Sequence, residues 1–327
     1  MKCNTISVIH RLIDSNKGEN YWFNGCASYV MGCLEEVDFD YDFFAGITGD
    51  VFTQHYTYGG ISWDGFSSYM LEEKPTEFVK ETFAKCGYDA EYADKLDMQK
   101  AAEYIDKGVP IIIWKSLFGV IVGYEGDDTL LYISGDESEL KRTKLAEVGD
   151  CCFVFVGEKL KDIPLSEIYK QAIAEIVPRF GVKTDKYCMG ADAFRAWADE
   201  VKSGDFDRAN KETFDLWANY TNFVCVAATN GSCCHEFLKR ARELTGFDFL
   251  DEVSALHRKM AEMWGADAYV GGDDNHNDPD SLEAIGGGFN ITLETLQDKE
   301  KREKIAAKIY EFADVTDEIA ALLKKIN

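Results

Sequence analysis

Apolar positions change period along this chain. Near the start, Ala27, Val30, Met31 and Leu34 recur at i, i+3, i+4 and i+7, which is one helical face. With Asn24 as N-cap, this predicts a helix over Cys26–Val37. The stretch Asp50–Phe66 is rich in Gly, Thr, Tyr and Trp and reads as a long irregular loop. Pro75 suits a first helical turn and Gly87 a helix stop. Met98, Ala101, Ala102 and Ile105 share one face of a short helix over Asp97–Lys107, which Gly108 ends.

Four short apolar runs then replace the helical period: 109–114, 119–124, 129–133 and 152–157. They are rich in β-branched and aromatic residues and bounded by Gly and Asp, so they read as strands. Their close succession predicts an antiparallel meander packed on the Cys26 helix. After about residue 162 the helical period returns. Leu165, Ile168, Tyr169, Ala172 and Ile176 form one stripe, and Phe194, Trp197, Ala198 and Val201 another. Further helices are expected near 208–228, 233–245, 248–264 and 299–325. The fold class is therefore α+β, with an α+β domain over 1–162 and an all-α helical bundle without strands over 163–327.

Composition narrows the function classes. Of 327 residues, 46% are hydrophobic and 13% aromatic, ample material for a core. The net charge of −24 repels phosphate backbones and anionic lipid surfaces, which excludes nucleic-acid and membrane partners. It leaves room for a cationic ligand such as a polyamine, an aminoglycoside or a basic peptide. The ten cysteines form no C-x-x-C pair, and most sit inside apolar runs, as reduced core residues do. No secretory or membrane-spanning stretch is visible, so a cytoplasmic location is expected. Asp273–Asp280 fails the calcium-loop pattern at its sixth and twelfth positions, and Gly286–Gly288 lacks the Lys of a phosphate loop. No metal and no cofactor is expected. Trp63 and Asp64 could line a pocket, although core stacking is the better explanation of the tryptophan.

Cys26 opens an amphipathic helix. A helix N-terminus offers free N–H groups and partial positive charge, both of which favour a thiolate nucleophile and can hold an oxyanion. The same cysteine could simply be packed core, as Cys33 on the same face suggests.

The order of the elements resembles the papain-like cysteine peptidase and acyltransferase superfamily, in particular bacterial proteins similar to the N-terminal domain of butirosin biosynthesis protein H. The segments that carry the resemblance are Asn24-Gly25-Cys26, Phe44–Phe52 with its Gly49-Asp50 pair, and the strand Gly119–Tyr124. Phe153–Lys159 and Gly190–Trp197 add to it. The resemblance implies a helix bearing the nucleophile Cys26, with Asn20 at the oxyanion position and Asp136 where a group orients the catalytic histidine. That histidine would stand seven residues before Tyr124, where this chain has Leu117. His55, in the loop after Asp50, is the nearest substitute. Two functions follow. One is Cys26-dependent acyl transfer or amide hydrolysis without protease activity, with an acyl-thioester, peptide or small-molecule partner. The other is a non-catalytic module that binds a small molecule or peptide in a papain-like shell.

Overall fold

The computed structural model describes residues 3–7, 10–14, 17–19, 21–52, 55–58, 66–135, 137–203, 205–210, 212, 234–265, 279–288 and 290–326. In chain order its elements begin with β1 (Cys3–Thr5), α1 (Trp22–Cys33), α2 (Tyr41–Thr48), β2 (His55–Thr57), α3 (Phe66–Glu73), α4 (Pro75–Lys85), β3 (Tyr88–Ala93) and α5 (Met98–Asp106). Then come β4 (Ile111–Lys115), β5 (Gly119–Glu125), β6 (Thr129–Ile133), β7 (Lys141–Lys144), β8 (Cys151–Lys159), α6 (Leu165–Phe180), β9 (Tyr187–Met189) and α7 (Ala191–Ser203). The last are α8 (234–245), α9 (Phe249–Trp264), α10 (Leu293–Gln297) and α11 (Lys299–Leu323).

These elements fall into two compact units. One comprises residues 1–15, 19–48 and 67–168; the other comprises 16–18, 49–66 and 169–327. The boundary expected at 162 therefore moves to 168. The segment 49–66, expected with the N-terminal domain, belongs to the second unit.

The first unit is built on an antiparallel sheet with strand order β3-β8-β4-β5-β6-β7, and β1 pairs with the far half of β5. Ile112 sits opposite Val154 on one side and Val120 on the other, so the central strands are the most apolar runs of the sequence. Ala101, Ile111, Ile113, Ile121, Phe153 and Phe155 form the core beneath α5. Asp97 caps α5 by accepting from the Lys100 N–H at 2.7 Å, and α1 packs on β4 and β5. The expected antiparallel sheet on the Cys26-bearing helix is thus present, and the fold is α+β; the meander is corrected, because β8, the last of the four runs, returns to pair with β4, the first, and not with β6. Strands β1, β3 and β7 lay outside the sequence expectation. β7 is Lys-Arg-Thr-Lys and carries no apolar signal; its strand form comes from pairing with β6.

In the second unit α7 and α9 pack along α11. Phe194 stacks on Phe312 at 5.5 Å, and Arg195 pairs with Asp317. Buried Arg302 donates to the Leu296 carbonyl at 2.6 Å and pairs with Asp207 at 3.3 Å. The expectation of no strand after 163 is corrected, because β9 pairs antiparallel with β2, His55 opposite Met189. The loop expected over 50–66 therefore holds a strand. Of the helix expected near 208–228, residues 213–228 lie outside the described residues. Among the described residues no helix is long and apolar enough to cross a membrane.

Candidate functional site

The helix that carries Cys26 begins earlier and ends earlier than its pattern predicts. Tyr21 is the N-cap, and its N–H donates to the Tyr41 hydroxyl at 2.8 Å. Trp22 is the first helical residue, which makes Cys26 the fifth. The orphan N–H groups of a helix belong to the cap and the three residues after it, and the dipole's influence fades within the first turn. Cys26 lies beyond both. The helix stops at Cys33, where residues 30–32 supply carbonyls to the Leu34 N–H.

Asn24 is correspondingly not the cap. It is fully buried, and its Oδ1 lies 3.2 Å from Thr48 Oγ1, which also donates to the Phe44 carbonyl at 2.8 Å. This amide side chain ties α1 to α2. Gly25 serves close packing. A Cβ there would stand 2.5 Å from the Leu12 carbonyl oxygen and 2.6 Å from Ile13 Cγ2. The Leu12 carbonyl and the Ile13 side chain fill the space that a Gly25 side chain would take. The expectation of Asn24 as N-cap is corrected by these contacts, which close this end of the helix.

Cys26 itself is 1% exposed, and burial pushes its thiol well above the ordinary range. A thiol in that state is protonated at neutral pH and is a poor nucleophile.

Leu117 lies in the short loop between β4 and β5. It packs on the cluster formed by α5 and the sheet, a cluster that contains no residue of α1. Asp50 and His55 are both buried, and both belong to the second unit. Burial pushes the His55 imidazole down to about 4, so it is neutral at physiological pH. Asn20, Trp63, Asp64 and Asp136 lie outside the described residues.

A second polar group in the first unit went unnoticed in the sequence. Tyr92 Oη lies 2.7 Å from Cys152 Sγ and 3.0 Å from Asp94 Oδ1, where β3 ends beside β8. Lys115, at the end of β4, faces the same sulfur and has a φ of 95°, a left-handed backbone rare for lysine. Burial raises the Cys152 thiol, while Tyr92 and Lys115 draw it back in part. No local motif marks this cluster; strand pairing alone assembles it.

The first unit also carries a cavity of about 470 Å³ between α5 and the β5–β6 turn. Glu103, Asp106, Asp127 and Tyr124 line it, the last being the tyrosine of the Gly-Tyr strand. Asp106 Oδ1 accepts from Tyr124 Oη at 2.9 Å and from Asn4 Nδ2 at 3.0 Å.

No protein-family model matches the chain, and no curated protein matches it.

Proposed function

We propose that this chain is a non-catalytic binding module on a papain-like plan, and that its ligand is a small cation. The observation that carries the first part is the burial of Cys26 one full turn inside α1. Thiol catalysis needs a thiolate in reach of substrate and a group that moves the proton. Here the thiol is covered and protonated, and the position where the family places histidine holds Leu117. General acid–base assistance is worth about 10²–10⁴-fold in rate, so its loss removes most amide-cleaving capacity. The ligand class follows from charge. The cavity beside Tyr124 brings three carboxylate residues together on a chain of net charge −24, which favours a polyamine-like cation over an anion.

The test has two arms. The protein is incubated with an acyl thioester and with a casein or fluorogenic peptide panel, and Cys26→Ser is run beside it. The expected result is no acyl adduct by intact mass and no cleavage, the same for both proteins. Turnover that depends on Cys26 would sink the non-catalytic reading. In the second arm spermidine is titrated by calorimetry. Binding is expected for the wild type and should weaken about tenfold or more in Glu103→Gln/Asp127→Asn. Equal binding by both would remove the cavity as the site.

A further inference from the structure

Two surface helices of the second unit repeat one pattern. Residues 251–259 read Asp-Glu-Val-Ser-Ala-Leu-His-Arg-Lys, and residues 317–325 read Asp-Glu-Ile-Ala-Ala-Leu-Leu-Lys-Lys. In both, the third and seventh positions are buried: Val253 and His257 on α9, Ile319 and Leu323 on α11. The positions between them face outward. Ala255 and Leu256 from α9, with Ala321 and Leu322 from α11, line a groove of about 680 Å³. Its corners are Glu252, Lys259, Glu318 and Lys325.

The two helices run antiparallel along this groove. Lys325, in the turn that continues α11, sits 3.8 Å from Glu252. Lys259 and Glu318 then share the opposite end, roughly 10 Å away at 1.5 Å rise per residue. Charge therefore alternates around the four corners, minus facing plus along both edges and across both ends. Such a square is complementary to itself. A two-fold axis in the plane of the face, along the helices or across them, sets each Glu against a Lys and apolar floor against apolar floor. A C2 contact demands this self-complementarity.

We propose that the α9–α11 face is where two copies of this chain associate, closing the groove as a four-helix interface. The remaining charge argues for a second copy over other occupants. The chain carries −24, but the groove's corners sum to zero, so neither a cation nor an anion finds a charge excess there. Two acidic copies meet with least repulsion at a neutral patch, because their distant charges are screened beyond ~8 Å at physiological salt. The four apolar side chains supply the dry centre, and the Glu–Lys pairs fix the register.

Sedimentation equilibrium on the full chain tests this, with helicity and melting temperature as folding controls. The wild type is expected to reach twice the monomer mass at micromolar concentration. Leu256→Asp/Leu322→Asp should be monomeric there, its dissociation constant raised about a hundredfold or more. Glu252→Lys/Glu318→Lys makes all four corners positive, and Lys259→Glu/Lys325→Glu makes all four negative. Each should be monomeric alone, and a mixture of the two should recover the dimer mass. A wild type that stays monomeric overturns the proposal, even if some other molecule binds the groove. So does a dimer that survives the Leu substitutions, or a mixture of charge variants that stays monomeric.

Discussion

The two glycines of α1 should respond to alanine with opposite signs. In an isolated helix both changes stabilise, because alanine is better than glycine by about 0.5–1 kcal/mol at an interior position. Gly32 meets that expectation, since a Cβ there has nothing within 4 Å. Gly25 does not. Its Cβ would overlap the Leu12 carbonyl oxygen at 2.5 Å and Ile13 Cγ2 at 2.6 Å. The nearer atom is main chain, held in turn because the Leu12 N–H donates to the Gly135 carbonyl at 3.0 Å. Relief requires the 12–13 segment to lift off the helix, and overpacking of this kind costs about 1–3 kcal/mol. The clash outweighs the propensity gain. Gly25→Ala should lose about 1–2 kcal/mol net and Gly32→Ala should gain up to about 1. Urea unfolding followed by far-UV circular dichroism reads both, with the midpoint compared at equal slope. If Gly25→Ala raises the midpoint as Gly32→Ala does, residues 12–13 do not cover the turn that carries Cys26, and the account of its burial fails with them.

Two further expectations concern single side chains. Under limited iodoacetamide with mass spectrometry at each cysteine, exposed Cys3 should label first. Cys26 should label no faster than Cys86, since both are buried and both thiols are pushed up; preferential labelling of Cys26 would restore it as a nucleophile. Burial also pushes the His257 imidazole down to about 4, and among the described residues neither ring nitrogen has a hydrogen-bond partner. The unfolded chain, with a histidine pKa near ~6.5, therefore binds the extra proton first, so stability is full above that value and falls as pH drops toward 4. Between about pH 7 and 5 the loss should be about 2 kcal/mol for this one group. His257→Leu, which copies Leu323 in the matching position of α11, should reduce that slope; an unchanged pH dependence of the urea midpoint would contradict the buried neutral imidazole.

Some of this protein was decided within a few residues of sequence. Helix α5 has its own cap in Asp97 and its own stop in Gly108, so its ends are local chemistry. Strands β4, β5, β6 and β8 are apolar on both faces because they lie inside the sheet, and uninterrupted runs of Ile, Val and Phe between Gly and Asp announce that without tertiary help. The stripe of α7 likewise follows from a helix with one face on a core. Other elements have no local cause. Tyr88–Ala93 reads as alternating aromatic, acidic and alanine residues and becomes β3 because β8 offers it an edge. His55 stands in a strand because Met189, far along the chain, pairs with it.

The candidate site shows the division most clearly. The sequence by itself placed Cys26 on a helix. It could not set where that helix starts. The cap at Tyr21 is satisfied by the hydroxyl of Tyr41, twenty residues on, and this contact draws the start of α1 back to Trp22. A shift of one turn carries Cys26 from the free end of a dipole into the hydrogen-bonded body of the helix, and the 12–13 segment on Gly25 closes over that turn. Periodicity records which face of a helix is apolar. Only packing decides which turn of that face meets solvent, and with it whether a thiol is a nucleophile or part of the core.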